Sequence, residues 1–159
     1  MTAHMHAHVP TLIARAFTTS ALTFAVVGAG LVAPGVAPEA HAAAYATKAL
    51  EIAASKRGAP YKYGASGPYR FDCSGLTLYS FKQAGKSLPR SAQSQYSRTR
   101  HVGSESRLRG DLVFFHRGNH VYHVGIYAGG DKIWHSPTPG SVVRLERIWS
   151  KGVWYGRVK

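Results

Sequence analysis

"RFDCSGLTLYSF", residues 70–81, contains Cys73, the only cysteine in the 159-residue sequence. The preceding loop is rich in glycine, proline and tyrosine, whereas the pattern from Cys73 onward predicts a helix that ends near Gly85. Asp72 is a favourable N-cap, which places Cys73 in the first turn of this helix. A helix N-terminus lowers the pKa of a thiol, and Gly75 is expected to leave open space beside it. The stretch therefore favours a nucleophilic cysteine, with a buried structural cysteine as the alternative.

Residues 1–42 differ from the rest of the chain and have the layout of a secretory signal. Arg15 is followed by an apolar run over residues 16–33 and then by an A-x-A arrangement that ends at Ala42. This layout predicts cleavage after Ala42, export from the cell, and one mature domain over residues 43–159. An uncleaved membrane anchor is the alternative, since the apolar run approaches the length that spans a bilayer.

The chain is strongly basic, with a formal net charge of +13 that is unchanged when the leader, with Arg15 and Glu39, is removed. An exported protein with this charge is expected to favour anionic polymers. The basic residues are scattered, which together with export argues against nucleic acid as a partner. An anionic cell wall or membrane surface fits better, without stable insertion once the leader is cleaved. The alternative is that the charge serves mainly solubility.

A nucleophilic thiol needs a base, and two histidines occur in strand-like sequence. The alternating segment "HVGIYA" and the segment "KIWHS" predict a β-hairpin that pairs residues 123–128 with residues 132–136. His123 and His135 share a face of this hairpin only if the loop has an odd number of residues or if a bulge intervenes. In that register His135 lies opposite Gly125, which leaves room for the two rings to meet. A two-residue loop alone would point them to opposite sides.

Five short motifs occur in order along the chain, and together they resemble the NlpC family of cell-wall cysteine peptidases. They are "DCSGL" at 72–76, "LPRS" at 88–91, "RGDLVFF" at 109–115, "HVGIY" at 123–127 and "HS" at 135–136. Each string alone is weak, but the series with this spacing is specific. The resemblance extends from about Tyr45 to the C-terminus.

The resemblance implies an α+β, papain-like fold in which the cysteine helix packs on an antiparallel sheet that carries the two histidines. It also implies a secreted, cell-wall-associated hydrolase that cleaves stem-peptide amide bonds of peptidoglycan. The expected bond joins the γ-carboxyl of D-glutamate to a diamino acid. We expect no cofactor, no metal ion and a monomeric protein.

The resemblance also assigns roles to individual residues. Cys73 is the expected nucleophile, His123 the general base and His135 the polar residue that orients it. Tyr61, together with the backbone N–H of Cys73, is placed near the oxyanion. The neighbours of the cysteine, Asp72 and Ser74, are expected to contact the substrate stem.

Three other kinds of protein are consistent with the same residues. A CHAP-like N-acetylmuramoyl-L-alanine amidase has a similar cysteine and histidine but cuts the sugar–peptide bond. A zinc site is a second alternative, since zinc binds the side-chain types of Cys73, His123 and His135, although no two of these residues are closely spaced in sequence. A non-catalytic, basic wall-binding protein is the third alternative.

The rest of the chain predicts the elements that complete this fold. Two helices are expected, one over residues 45–58 that ends at Gly58 and a short one over 91–96 capped by Ser91. Strands are expected at residues 111–116, 141–148 and 153–158, with Asp111 as a turn residue ahead of the first. Arg90 and Gln95 are predicted either to line the substrate groove or to lie on ordinary surface.

Overall fold

The structure, a computed structural model, describes residues 38–159. Within this range three α-helices and six strands form an α+β fold, which confirms the prediction. The helices are α1 (Pro38–Ser55), α2 (Cys73–Gln83) and α3 (Ala92–Arg98). The strands are β1 (Arg100–Val102), β2 (Leu112–Arg117), β3 (His120–Gly129), β4 (Lys132–His135), β5 (Arg144–Arg147) and β6 (Val153–Arg157). They form one antiparallel sheet in the order β1-β6-β2-β3-β4-β5.

Helix α1 begins at Pro38, seven residues earlier than the sequence predicts. The segment added to the helix is rich in alanine, the residue with the highest helix propensity. Proline is tolerated at the first helical position because its missing N–H has no partner there in any helix. The predicted stop is close to the observed one, since the helix ends at Ser55 and Gly58 has a φ of +87°.

The predicted leader, residues 1–42, lies mostly outside the described residues, and its cleavage after Ala42 stays a prediction. Among residues 38–159, no helix combines the length and the apolar character needed to cross a bilayer.

Strand β2 lies at the centre of the sheet and is buried on both faces. Leu112 and Phe114 point toward the helices and join a cluster that includes Leu76 and Phe81 of α2. Val113 and Phe115, which alternate with these residues along β2, point to the opposite face and join a second cluster with residues of the neighbouring strands. Its members are Val113, Phe115, Tyr127, Ile133 and Tyr155. This double burial explains why the strand reads as a continuous apolar run rather than as an alternation.

The loop before α2 packs directly on the first turn of that helix. The carboxylate of Asp72 accepts a hydrogen bond from the backbone N–H of Gly75 at 2.8 Å, as predicted for an N-cap. The backbone N–H of Asp72 donates to the carbonyl of Ala65 at 2.9 Å. A Cβ at Gly75 would lie 2.0 Å from this same carbonyl oxygen. The expectation of open space at Gly75 is therefore wrong, because the loop backbone fills it.

The β3–β4 hairpin brings the two candidate histidines to one face by means of a bulge. Its turn is the two-residue pair Gly130–Asp131, both at positive φ, as in a type I′ turn. Ala128 is the extra residue, since the register shifts between Tyr127 and Gly129. A Cβ at Gly125 would lie 3.2 Å from the Cβ of His135. The register in which His135 faces Gly125 is thus the observed one.

We expect the substitution Gly75→Ala to destabilise the protein, because the added methyl group collides with a backbone carbonyl rather than with a movable side chain. Overpacking of this kind costs about 1–3 kcal/mol, which outweighs the gain of about 1 kcal/mol from alanine's helix propensity. Urea unfolding of the two proteins measures the difference. Gly103→Ala is the matched control, since a Cβ there meets nothing within 4 Å. Equal stability of the two variants would contradict the tight packing of the loop.

Candidate active site

Cys73 lies at the border of a cleft of about 680 Å³ that contains most of the sequence-predicted site residues. The cleft lies between the loop before α2, the first turn of α2, the start of α3 and the start of β3. The predicted residues that line it are Tyr61, Asp72, Cys73, Ser74 and His123. His135 does not line the cleft but lies behind His123.

The two histidines form a hydrogen-bonded pair that continues to a carboxylate. Nε2 of His123 lies 2.9 Å from Nδ1 of His135, and the rings are almost perpendicular at 82°. Nε2 of His135 lies 2.9 Å from Oε2 of Glu146, on the edge strand β5. Sequence reasoning did not find Glu146, because its neighbours give no motif and its contact depends on strand pairing.

Burial keeps both imidazoles uncharged. His123 is 7% exposed, and burial together with the neighbouring His135 lowers the pKa of His123 to about 3. His135 is fully buried, and burial lowers its pKa even though Glu146 acts in the opposite direction. At neutral pH each ring therefore carries one proton, and His123 is available as a base.

The thiol of Cys73 differs from the sequence-based expectation. Burial, and next the negative charge of Asp72, raise the pKa of Cys73, and this outweighs the backbone hydrogen bonds of Val124 and Ser74 that lower it. The expectation of a lowered pKa is therefore wrong, because it considered the helix N-terminus but not desolvation. No hydrogen bond joins the thiol to the His123 imidazole in the part of the chain that the structure describes. The resting thiol and the resting imidazole, which line the same cleft, are therefore both neutral.

Asp72 connects the cysteine helix to two other segments. Besides capping α2, its carboxylate accepts a hydrogen bond from the backbone N–H of Gly64 at 2.8 Å and forms a two-pronged ion pair with Arg90. Arg90 also donates to the hydroxyl of Ser74 at 2.9 Å. The hydrogen bond to Asp72 raises the pKa of Arg90, which stays charged. Arg90 lines the cleft, which is one of the two positions predicted for it from the sequence.

Gln95 has a structural role and does not line the cleft. It is fully buried, and its amide donates to the carbonyls of Ser74 and Pro89, both at 2.9 Å. Its oxygen accepts a hydrogen bond from Thr77 at 2.7 Å. These contacts tie α3 to the first turn of α2 and hold the cysteine in place.

Tyr61 lies across the cleft and keeps its phenolic proton. Burial raises the pKa of Tyr61, and Cys73 and Asp72, when they are ionised, raise it further. Its hydroxyl is therefore a hydrogen-bond donor at neutral pH. The backbone N–H of Tyr61 donates to Ser141 at 2.9 Å, which anchors this part of the loop.

Trp149 covers the histidine pair on the outer face of the sheet. Its ring stacks on Phe115 at a centroid distance of 4.1 Å and lies 5.6 Å from His123 and 5.2 Å from His135. The side chain is nevertheless 51% exposed. The other two tryptophans, Trp134 and Trp154, pack against the main core instead. Trp149 thus contributes to the desolvation that keeps the imidazoles neutral.

The described residues contain no cluster of three histidine, cysteine, aspartate or glutamate side chains with the arrangement of a metal site. Nε2 of His123 faces Nδ1 of His135, so that the two rings bond to each other and do not converge on a shared ion.

We expect Trp149→Ala to raise the pKa of His123 by about one unit or more, because water then reaches the imidazole pair. The sign follows from the cause: burial lowers this pKa, so exposure moves it back toward its ordinary value. NMR titration of the imidazole signals measures the shift, and the acid limit of Cys73 alkylation should move to higher pH with it. Leu145→Ala, an exposed apolar residue on β5, is the control. Unchanged titration in the Trp149 variant would contradict the covering role.

Comparison with known proteins identifies relatives over most of the described residues. The sequence pattern of the NlpC/P60 family matches residues 58–158. A probable endopeptidase of Corynebacterium glutamicum is 41% identical over 116 residues, which cover 69% of this chain and 54% of the relative. The chain spans about half, or less, of the length of the curated relatives it matches.

Two solved structures from Mycobacterium tuberculosis show the same fold. The peptidoglycan hydrolase RipB has a TM-score of 0.68 at 28% identity, covering 77% of this chain and 68% of its own. RipD, described as a non-catalytic NlpC/p60 domain protein adapted to peptidoglycan binding, has a TM-score of 0.63 at 27% identity, covering 72% and 98%. Family pattern, sequence identity and fold agree, and we conclude that the chain belongs to the NlpC/P60 family.

Proposed function

We propose that this protein is a peptidoglycan hydrolase that cleaves stem-peptide amide bonds with Cys73 as nucleophile, His123 as general base and His135 as its orienting partner. The observation that carries the proposal is the buried, hydrogen-bonded His123–His135 pair at the edge of the cleft that Cys73 borders. The bond we expect to be cleaved joins the γ-carboxyl of D-glutamate to a diamino acid.

The reaction follows from the protonation states of these groups. When the thiol and the imidazole come into contact, His123 takes the proton of Cys73 and the sulfur attacks the amide carbonyl. The backbone N–H of Cys73 and the hydroxyl of Tyr61 are suited to stabilise the oxyanion. The amine leaves with the proton from His123, and a water activated by the same ring hydrolyses the thioester.

The relatives support this function without deciding it. RipB is named a peptidoglycan hydrolase and the Corynebacterium relative a probable endopeptidase, whereas RipD is described as non-catalytic. Family membership alone therefore does not imply catalysis. The presence of thiol, base and partner in one arrangement favours the catalytic function over wall binding alone.

We expect Cys73→Ser and His123→Ala each to lower the hydrolysis of defined stem peptides by at least about 10³-fold, because nucleophile and base act as a unit. His135→Gln should cost less, since an amide retains one hydrogen bond to the base. Product mass spectrometry locates the cleaved bond, and circular dichroism checks that each variant is folded. More than a trace of turnover by Cys73→Ser would reject the nucleophile.

The same experiment separates the alternatives. Release of intact stem peptide from the sugar would indicate an amidase, and loss of activity with a chelator would indicate a metal enzyme. Peptidoglycan binding that survives Cys73→Ala, with no cleavage by the unmodified protein, would indicate a non-catalytic binding protein.

We also propose that the protein is exported with cleavage near Ala42 and that its charge concentrates it on the anionic polymers of the cell wall. The net charge of +13 supports this, and Lys151 and Lys159 are exposed examples. We propose no nucleic-acid partner, no stable insertion into the membrane after cleavage, and a monomeric state.

We expect sedimentation with intact cell walls to fall steeply between 0.1 M and 1 M salt, because the screening length falls from ~10 Å to ~3 Å. Hydrolysis of a small soluble stem peptide should change far less, since its contacts are short-range. Lys151→Glu with Lys159→Glu should weaken wall binding and preserve peptide turnover. The charge-conserving pair Lys151→Arg with Lys159→Arg is the control. Wall binding that is insensitive to salt would contradict the electrostatic account.

A further inference from the structure

We propose that Glu146 is a positioning residue that fixes the protons of the two imidazoles, so that Nδ1 of His123 is the nitrogen that acts as base. The inference rests on the proposed function, because it concerns the same site. It adds a fourth member, on the edge strand, to the arrangement of Cys73, His123 and His135.

The first step assigns a proton to each imidazole nitrogen, beginning at the carboxylate of Glu146. An ionised carboxylate only accepts hydrogen bonds, so the 2.9 Å contact with Oε2 of Glu146 requires a proton on Nε2 of His135. A neutral imidazole has one N–H, which leaves Nδ1 of His135 without a proton. That nitrogen then accepts from Nε2–H of His123 at 2.9 Å. The remaining nitrogen of His123, Nδ1, has no proton and is free to take one.

The second step concerns charge, because the assignment requires two neutral imidazoles and an ionised carboxylate. Burial lowers the pKa of both His123 and His135, which keeps each ring neutral. Burial acts to raise the pKa of Glu146, but the hydrogen bonds from Arg144 and His135 outweigh it and lower that pKa. The ionised form of Glu146 is therefore retained although the side chain lies beside a buried pair.

The third step is that Arg144 holds the carboxylate in place. Nε and Nη2 of Arg144 both lie 2.8 Å from Oε2 of Glu146, the same oxygen that faces His135. Arg144 pairs with His135 across the β4–β5 ladder, and Glu146 is two residues on, so both side chains share the face of His135. The two aromatic rings that lie against the pair, Phe115 and Trp149, are uncharged.

The absence of this carboxylate would permit the wrong arrangement of protons. His135 would then be free to carry its proton on Nδ1 and donate it to Nε2 of His123. The proton of His123 would move to Nδ1, the nitrogen needed as base. The ring would keep its position but lose its ability to accept the thiol proton.

The test compares Glu146→Gln with Glu146→Leu. The glutamine keeps an oxygen that accepts from His135, and Arg144, which donates to that oxygen, prevents the amide from turning its NH₂ group inward. The leucine removes the acceptor. Glu105→Gln is the control, since Glu105 is an exposed carboxylate on the 3₁₀ turn Ser104–Ser106.

Three readouts are measured: the imidazole tautomers by ¹⁵N NMR, the rate of Cys73 alkylation by iodoacetamide at pH 7, and kcat and KM for stem-peptide hydrolysis. We expect Glu146→Gln to stay within about threefold of the unmodified protein. Glu146→Leu should lower alkylation and kcat by about tenfold or more with KM unchanged, because a wrong tautomer disables the base. Its NMR spectrum should show a proton on Nδ1 of His135.

A leucine variant with unchanged tautomers and an unchanged alkylation rate would overturn the proposal. If that variant does not fold, Glu146→Met decides, because its unbranched side chain is close in length to glutamate and replaces the carboxylate acceptor of Nε2 of His135 with a weak thioether acceptor. A methionine variant with unchanged tautomers and an unchanged alkylation rate would also overturn the proposal. If the unmodified protein hydrolyses no peptide while the NMR and alkylation results hold, the proposed function fails and the positioning role of Glu146 stands.

Discussion

The contacts of one carboxylate, Asp72, determine where the thiol lies. It caps α2, accepts from Gly64 in the preceding loop and pairs with Arg90 beyond the helix. The loop before α2, the first turn of α2 and the segment after the helix thereby meet around Cys73. The same carboxylate acts to raise the pKa of the thiol. Asp72 therefore holds the thiol in position but disfavours its ionisation. The enzyme proposed here depends on a neutral histidine to remove the thiol proton.

His123 stays unprotonated because its imidazole is shielded from water. Trp149, Phe115 and the strand neighbours exclude water from the His123–His135 pair, and both rings remain neutral as a result. A solvated imidazole would be partly protonated in mildly acidic surroundings, whereas this pair is expected to remain a base there. The stack on the outer face of the sheet thus helps to set the protonation state of a histidine that lines the cleft.

Local signals were enough to predict the cysteine helix and its Asp72 cap, and to state the condition, an odd loop or a bulge, under which His123 and His135 share a face. Each of these depends on residues close in sequence or on hairpin parity. Glu146 and Trp149 were not predicted, because their contacts arise from the pairing of β4 with β5 and from a loop beyond it. The thiol pKa was predicted in the wrong direction, since a helix terminus is visible in the sequence and the degree of burial is not.

Because of the bulge at Ala128, the length of an exposed hairpin decides whether His123 and His135 lie on the same face of the sheet. Side chains alternate between faces along a strand, so loss of this single residue would rotate one histidine to the opposite side of the sheet. Insertion or deletion of two residues would leave both histidines on the same face of the sheet. Among homologous chains, insertions and deletions in this turn should therefore occur in even numbers, although the turn itself is exposed and does not line the cleft.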